Sequence, residues 1–245
     1  MARLLHVVVE PPRPCSYLDD RSASLEHRIL VDGTAAELEE MLARGWRRFG
    51  PDHFRPKCAP CSACVPTRVV VSGFSPSKSQ RRAERAASSL RVVVGRPRVD
   101  RARIELHAKW HTFREAARGW APSDLDPRHY TLSFAFPHEA GVELSYWDDD
   151  APEGPLLVGV AIADATPNAL SAVYFFYDPA YARRSLGIAN VLQHVELARQ
   201  TGKAHVYLGF RVEGCASMQY KGGFMPAERL VGWPSDDEAP RWIPA

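Results

Sequence analysis

The sequence predicts an α/β fold of the α+β type, in which a mixed sheet with helices follows a smaller, cysteine-containing basic module. Three strand-like runs rich in Val and Leu follow one another in the second half, and a helical segment then precedes a further strand. Net positive charge and four of the five cysteines are concentrated in the first half. We therefore expect an N-terminal module over residues 1–120 and a C-terminal module over residues 121–245.

The first module begins with an apolar run that ends at Glu10, which predicts a strand and is too short for a signal peptide. Thr34 and Glu37 have the spacing of a capping box, and Gly45 can end the helix that they begin. Ser75 and Pro76 predict the N-cap and first residue of a second helix. The remaining predicted elements of this half are strands over residues 65–72 and 91–94 and a helix over residues 100–118, followed by a connection over residues 120–128.

The second module is predicted to be a meander of three strands followed by a helix, a further strand, a short helical segment and a last strand. The strands are predicted over residues 142–147, 156–163 and 170–177, the helix over 184–200, a further strand over 204–210, a short helical segment over 217–221 and a last strand near residue 230. This order is similar to the acetyltransferase-like fold. Arg184, Gly187 and Ala189 also fit the R-x-x-G-x-A loop that such enzymes place beneath a pyrophosphate, although a helix that begins with arginine produces this pattern often.

Positive charge is distributed very unevenly along the chain. Residues 41–120 contain eighteen Lys/Arg and five Asp/Glu, whereas the whole chain has a net charge of +2. Exposed basic residues commonly do no more than solvate a surface, but this segment also contains aromatic residues that can stack on unpaired bases. A nucleic acid, RNA in particular, is the partner that this pattern favours. No apolar stretch approaches the length of a membrane span.

Three cysteines recur at a spacing of three, at Cys58, Cys61 and Cys64, and Cys15 could complete a set of four thiol ligands. This pattern suggests a site for zinc or an iron-sulfur cluster. Reduced, buried thiols are the alternative. The odd total of five cysteines argues against a secreted disulfide framework and favours the reducing cytoplasm, and Cys215 lies apart in the second half.

Several blocks spread over both halves resemble the aminoacyl-tRNA-protein transferase family, in particular its bacterial branch of aspartate/glutamate leucyltransferases. The blocks are residues 15–18 (CSYL), 54–66 (FRPKCAPCSACVP), 74–82 (FSPSKSQRR), 170–174 (LSAVY), 177–179 (YDP), 184–187 (RSLG), 207–210 (YLGF), 213–215 (EGC), 220–221 (YK) and 224–226 (FMP), with Met218. Two segments depart from the family pattern. Phe210 and Arg211 stand where the family has an aromatic pair, and residues 107–120 lack its usual Arg-His and glycine pattern.

The resemblance implies transfer of leucine from leucyl-tRNA to proteins that begin with Asp or Glu, which creates a destabilising N-terminus in the N-degron pathway of protein turnover. An aminoacyl ester is already activated, so the chemistry requires no cofactor and no covalent nucleophile. Related transferases have cysteines in the N-terminal module that can hold an iron-sulfur cluster or zinc, which extends the metal hypothesis to Cys15, Cys58, Cys61 and Cys64.

Within this reaction, Asp178 or Glu213 is expected to relay the proton, and Tyr207 and Tyr220 to position the reactants. Asp178 could instead be a turn residue, and Glu213 an ion-pair partner of Lys221 or Arg211. The residues expected to bind the tRNA or the donor ester are Lys78, Gln80, Arg81, Arg82, Arg85, Arg184, Ser185, Gly187 and Lys221. Those expected to bind the acceptor are Arg211 and Tyr174.

Two other functions remain open from the residues. If the loop at Arg184 holds coenzyme A, the protein is an N-acetyltransferase; if the basic half acts alone, it is a non-catalytic RNA-binding module. The first leaves the basic half without a role, and the second leaves residues 213–221 without one. The sequence predicts no oligomeric state.

Overall fold

A computed structural model of the chain describes residues 2–118 and 126–245, so the predicted boundary between residues 120 and 121 lies outside the described residues. These described parts form an eight-stranded mixed sheet, a four-stranded antiparallel sheet and a two-stranded ribbon. None of their helices combines the length and the apolar character of a membrane span. The predicted mixed sheet with helices is confirmed.

The four-stranded sheet lies entirely in the N-terminal part of the chain. Its elements and neighbours are β1 (Arg3–Val9), β2 (Arg13–Pro14), β3 (Ser22–Ala23), β4 (Leu25–Val31), α1 (Ala35–Ala43), β5 (Arg47–Phe49) and β6 (Asp52–Pro56). The strand order is β1-β4-β6-β5, and β2 pairs with β3 in the ribbon. The predicted first strand is therefore confirmed as β1.

The hairpin of β5 and β6 turns on Gly50–Pro51, and its ladder pairs Arg47 with Phe54. Gly50 has a φ of 55°, and a Cβ at this position would lie 1.8 Å from the carbonyl oxygen of Leu132. Both the left-handed backbone and the lack of space require glycine. The turn therefore has one residue type that fits it.

The eight-stranded sheet takes strands from both predicted modules. Its elements and those around it are β7 (Cys64–Val70), a 3₁₀ helix (Val71–Gly73), α2 (Lys78–Ala87), β8 (Arg91–Gly95), α3 (Arg101–Arg118), α4 (Pro127–Phe134), β9 (Gly141–Asp148), β10 (Leu156–Ala165), β11 (Ala169–Tyr177), a 3₁₀ helix (Pro179–Arg184), α5 (Leu186–Gln200), β12 (His205–Val212), a 3₁₀ helix (Ala216–Gly223), β13 (Ala227–Leu230) and β14 (Trp242–Pro244). The order is β14-β13-β7-β12-β11-β10-β9-β8. Strands β7 and β8 precede residue 120 but belong to the same sheet as strands that follow it. The division into two modules therefore stays a prediction.

The connectivity predicted for the second half is the one observed. Strands β9, β10 and β11 form an antiparallel meander, α5 crosses over, and β12 returns parallel to β11. Helices cover both faces of the sheet. On β10, Val158 and Ala163 pack in a cluster with Leu186 of α5, whereas Val160 and Ile162 pack with residues of α3 and α4. Strand β10 is consequently buried on both sides.

Helix starts follow capping chemistry, with one correction. At α1 the Thr34 hydroxyl accepts the N–H of Glu37, and the Glu37 carboxylate accepts the N–H of Thr34, as predicted. The prediction that α2 begins at Ser75 and Pro76 is wrong, because Ser77 is the N-cap. Gln80 stands at the third helical position after Ser77 and returns the capping hydrogen bond. That reciprocal pair is available only to Ser77.

Candidate active site

The large sheet splits between β11 and β12, and we call the gap the fork. These parallel strands pair over only three positions, the last of which joins Ser171 to Tyr207. Beyond it, β11 continues with β10 and β12 continues with β7. Because both strands run in the same direction, their C-terminal ends lie at one edge of the sheet, where ligands of open α/β sheets commonly bind.

Arg47 of β5 occupies the point where the fork opens. Its Nη1 donates to the Ser171 hydroxyl at 2.8 Å, and its Nη2 donates to the carbonyl oxygen of Ala172. Across the gap, its Nε lies 3.4 Å from where a Cβ on Gly209 of β12 would be. Gly209 has a φ of 76°, so a side chain there would be strained as well as in contact with the guanidinium. The arginine thus lies between the two strands at their separation.

Two further cations lie on the β12 side of the fork. Lys221, on the 3₁₀ helix Ala216–Gly223, donates from Nζ to the carbonyl oxygen of Phe210 at 2.7 Å. The guanidinium of Arg211 lies against Gly222, where a Cβ would be 3.0 Å from Cζ. Any side chain at residue 222 would push Arg211 away. We call Arg47, Arg211 and Lys221 the cation cluster.

The cation cluster has no counter-ion among the residues that the structure describes: none of its three members forms an ion pair with an acidic side chain there. Arg47 is only 9% exposed. Burial lowers the pKa of Arg47 to about 10, and the nearby Asp164 opposes this shift only in part. Burial, and next the charge of Arg47, lower the pKa of Lys221 to about 7. The positive forms of Arg47 and Lys221 are thus disfavoured in the free protein, and a bound anion would stabilise them.

The two predicted proton relays stand beyond the tips of the fork. Asp178 follows the end of β11 and Glu213 follows the end of β12. Asp178 accepts the N–H of Ala180 at 2.9 Å and pairs with Lys109 at 2.7 Å, so it has the turn role that the sequence left open. Glu213 is exposed and forms no ion pair with a described residue, including Lys221 and Arg211. Whether either residue relays a proton stays a prediction.

The three predicted tyrosines lie in different surroundings. Tyr207 is buried, and its hydroxyl accepts from Nη1 of Arg68 at 3.1 Å. Tyr220 is 43% exposed and directly precedes Lys221. Tyr174 projects to the α3 side of the sheet, where its hydroxyl lies 3.3 Å from Nε2 of His111. Of the three, Tyr220 adjoins the cation cluster through the chain itself.

Helix α2 presents a basic surface beside the site. Its exposed cations are Lys78, Arg81, Arg82 and Arg85, which we call the α2 surface. Gln80, also predicted to bind tRNA, is instead buried and donates from Nε2 to the carbonyl oxygen of Gly223 at 2.8 Å. This bond ties α2 to the 3₁₀ helix that carries Lys221. The α2 surface and the cation cluster are thereby fixed relative to each other.

The predicted pyrophosphate loop forms the start of α5, but its arginine is engaged. Arg184 donates to the hydroxyl of Ser89 at 2.8 Å and lies 3.7 Å from the carboxylate of Asp148. Ser185 has a left-handed backbone with a φ of 54°, and a Cβ on Gly187 would meet nothing within 4 Å. The helix start is open, while Arg184 has partners of its own.

The cysteines do not assemble as a metal centre among the described residues. The Cys58 thiol bonds to the backbone of Ser24, and the Cys15 sulfur accepts the N–H of Tyr17. Burial, and then the other four cysteines, raise the pKa of Cys64 to about 12, so the thiols are close enough to influence one another. Cys61 is also a free thiol. Metal binding by Cys15, Cys58, Cys61 and Cys64 therefore stays a prediction.

Sequence reasoning missed Arg47 as a site residue. It appeared only as one of many cations in the basic segment, and its neighbour Arg48 has the same side chain. The one signal was a strand-like Trp-Arg-Arg-Phe run ahead of Gly50–Pro51, which places the two arginines on opposite faces. Nothing in the sequence shows which of them faces a gap in a sheet.

Two family models match the chain. Residues 13–82 match the N terminus of arginine-tRNA-protein transferase, and residues 102–231 match its C terminus. Among curated proteins, the chain is 31% identical to the aspartate/glutamate leucyltransferase of Helicobacter hepaticus over 93% of each chain. It is 37% identical to the protein of that name from Pseudoalteromonas atlantica, over 89% of this chain and 91% of the relative.

Solved structures give more distant matches. The match to the crystal structure of FemX covers 72% of this chain and 60% of the FemX chain, at 9% identity and a TM-score of 0.46. The structure of L-PGS from Bacillus licheniformis covers 60% of this chain and 45% of its own, at 13% identity and a TM-score of 0.41.

Proposed function

Because the chain belongs to the arginine-tRNA-protein transferase family, we propose that it transfers leucine from leucyl-tRNA to the N-terminal amine of proteins that begin with Asp or Glu. The observation that carries this proposal is the match to aspartate/glutamate leucyltransferases over about nine tenths of both chains. The product would carry a leucine that marks it for turnover in the N-degron pathway of the cytoplasm. The chain is a tRNA-dependent aminoacyltransferase in this proposal.

The reaction needs one new bond and one broken bond. The uncharged α-amine of the acceptor attacks the ester carbonyl carbon of leucyl-tRNA, the C–N bond forms and the C–O bond to the ribose breaks. The proton that leaves the amine ends on the departing ribose hydroxyl. Because the ester is already activated, the enzyme has to orient the amine, stabilise the oxyanion and move this proton, and no cofactor takes part.

The fork supports this chemistry because cations lie where β11 and β12 separate. A positive environment lowers the pKa of a nearby α-amine and so favours the uncharged form that attacks. It also stabilises the negative charge that develops on the ester oxygen. We propose Glu213 as the relay for the proton, since its carboxylate is exposed and unpaired among the described residues, and Tyr220 as a positioning group beside Lys221.

The tRNA would lie across the α2 surface, with its leucyl end directed to the fork. Four exposed cations on one short helix suit a phosphate backbone, and the bond from Gln80 to the backbone of Gly223 holds this helix against the site. The distance from the α2 surface to the cation cluster is therefore fixed, and the aminoacylated end of the tRNA has to span it.

Transfer by the purified protein tests the function. The protein is incubated with leucyl-, phenylalanyl- or arginyl-tRNA and with peptides that begin with Asp, Glu, Arg or Lys, and the products are read by mass spectrometry. We expect leucine on the Asp and Glu peptides. Absence of leucine from both acidic peptides would contradict the proposal, and arginine on them would reassign the donor.

A further inference from the structure

We propose that the cation cluster is the specificity pocket for the acceptor, in which the side-chain carboxylate of its N-terminal Asp or Glu binds Arg47 and Lys221, with Arg211 at the rim. This inference rests on the proposed function and names the group that the site recognises. It gives Arg47 a role that the sequence did not suggest. It also moves Lys221 from the tRNA to the acceptor.

Arg47 has no carboxylate partner among the described residues. A buried guanidinium without a carboxylate is costly, and other buried arginines of this protein have one: Arg48 pairs with Asp164, Arg103 with Glu143 and Arg55 with Glu26. Arg47 is as buried as these but donates only to a hydroxyl and a carbonyl among the described residues. A carboxylate from outside the chain would complete its coordination.

Three positive groups lie along residues 209–211 of β12, where Arg47 is beside Gly209, Lys221 donates to the Phe210 carbonyl oxygen and Arg211 belongs to the strand itself. Arg47 comes from β5, Arg211 from β12 and Lys221 from the 3₁₀ helix that follows β12. Two glycines leave room for the guanidinium groups, Gly209 beside Arg47 and Gly222 beneath Arg211. A planar guanidinium matches the two oxygens of a carboxylate, and Lys221 adds a point charge.

The position of Arg47 favours the acceptor over the tRNA as the source of the anion. Arg47 stands at the closed end of the fork, where β11 and β12 are still neighbours, and it is 9% exposed. A carboxylate on a short side chain is smaller than a phosphodiester, which carries a ribose on each side, so it suits this confined position better. The α2 surface offers exposed cations for phosphate. We therefore assign the two kinds of anion to different places.

The test compares two peptides that differ in one group: an acceptor that begins with Asp and the same peptide with Asn. Charge-assisted hydrogen bonds contribute about 1.5–3 kcal/mol, so the wild-type protein should prefer Asp by about tenfold to a hundredfold in peptide affinity. In Arg47→Gln and Lys221→Met the preference should fall severalfold or more through weaker binding of the Asp peptide. Affinity for leucyl-tRNA should change less than twofold.

Arg199→Gln serves as the matched control, because this arginine is exposed and already paired with Glu196. Its Asp preference should equal that of the wild-type protein. If Arg47→Gln fails to fold, Arg211→Gln decides the question, since Arg211 is only partly buried and makes no ion pair among the described residues. It should lower the Asp preference severalfold.

The outcomes separate the two proposals. Wild-type protein that transfers leucine to no acidic peptide contradicts the proposed function. Wild-type protein that transfers leucine, together with folded variants of the cation cluster that retain the full Asp preference, overturns this inference alone. Retained Asp preference with weakened leucyl-tRNA binding also overturns it and assigns the cluster to the tRNA.

Discussion

Two neighbouring residues of β5 carry the same side chain in opposite electrostatic conditions. Arg48 is buried and donates from Nε to both carboxylate oxygens of Asp164, each at 3.1 Å. Arg47 is also buried, but it meets only neutral oxygen atoms among the described residues. Asp164 pairs with Ser171 across β10 and β11, so the compensated and uncompensated cations lie over neighbouring positions of one sheet.

The difference separates a structural arginine from a functional one. A buried ion pair with several hydrogen bonds is satisfied within the fold, and its loss damages the fold. A buried cation that lacks a counter-ion lowers the stability of the free protein, and an anionic ligand supplies that counter-ion when it binds. Substitutions at Asp164 and at Arg47 test this contrast.

The largest effect is expected at the compensated side. Asp164→Ala leaves Arg48 buried without its carboxylate, so we expect the free energy of unfolding to fall by about 3–5 kcal/mol. Urea denaturation followed by circular dichroism measures this change. A loss below about 1 kcal/mol would show that Arg48 finds other compensation and would remove the contrast with Arg47.

Lys221 gives a pH-dependent effect. Its pKa is lowered to about 7 in the folded protein, first by burial, so the unfolded chain binds an extra proton above that pH. Stability contributed by this group therefore rises as pH increases from about 7 toward the unfolded pKa of about 10.4. Relative to Lys221→Met, the wild-type protein should gain about 2 kcal/mol between pH 7 and pH 9 in urea denaturation. Parallel pH profiles for the two proteins would contradict the lowered pKa.

Arg47→Met tests the uncompensated side. The variant loses two hydrogen bonds, each contributing about 0.5–1.5 kcal/mol, but it also removes a buried charge without a counter-ion. We expect the free energy of unfolding to change by less than about 2 kcal/mol, well below the effect of Asp164→Ala. A loss as large as that of Asp164→Ala, in the same urea experiment, would mean that Arg47 is structural.

The α2 surface should give the smallest and least specific effect. Replacing Arg82 and Arg85 by Gln removes two exposed cations, which should lower the slope of log affinity against log salt for leucyl-tRNA by about 1.4–1.8. Filter binding at several salt concentrations measures the slope. Arg199→Gln, outside this surface, is the control. An unchanged slope would place the tRNA elsewhere, and a changed Asp preference would merge the two anion sites.

The sequence predicted most of the fold because local signals determined it. The run of three strands, a helix and a further strand was visible from periodicity, and the capping box of Thr34 and Glu37 was found from spacing alone. The start of α2 was misplaced because two serines can each precede a helix there, and only the reciprocal bond of Gln80 distinguishes Ser77. Elements with competing local signals need the tertiary structure.

The site was predictable only in part, because it depends on which residues lie across a gap. Lys221 was proposed from a block that resembles the family, and Arg211 from a departure from the family pattern. Arg47 was not, since it comes from a distant strand, and its burial without a counter-ion is a property of packing. For the four cysteines, the spacing suggests a metal centre, but the described residues contain no group arranged to hold a metal ion, so that part of the site stays a prediction.

The turn at Gly50–Pro51 determines which arginine the fork receives. Residues along a strand alternate between its faces, so a slip of one residue in the β5–β6 hairpin would exchange Arg47 and Arg48. Arg47 would then lie beside Asp164, and Arg48 would lose that carboxylate. No side chain fits at Gly50, so a slip that brought another residue to this turn position would clash with the Leu132 carbonyl oxygen. Gly50, a residue without a side chain, thus helps to determine where a positive charge is placed.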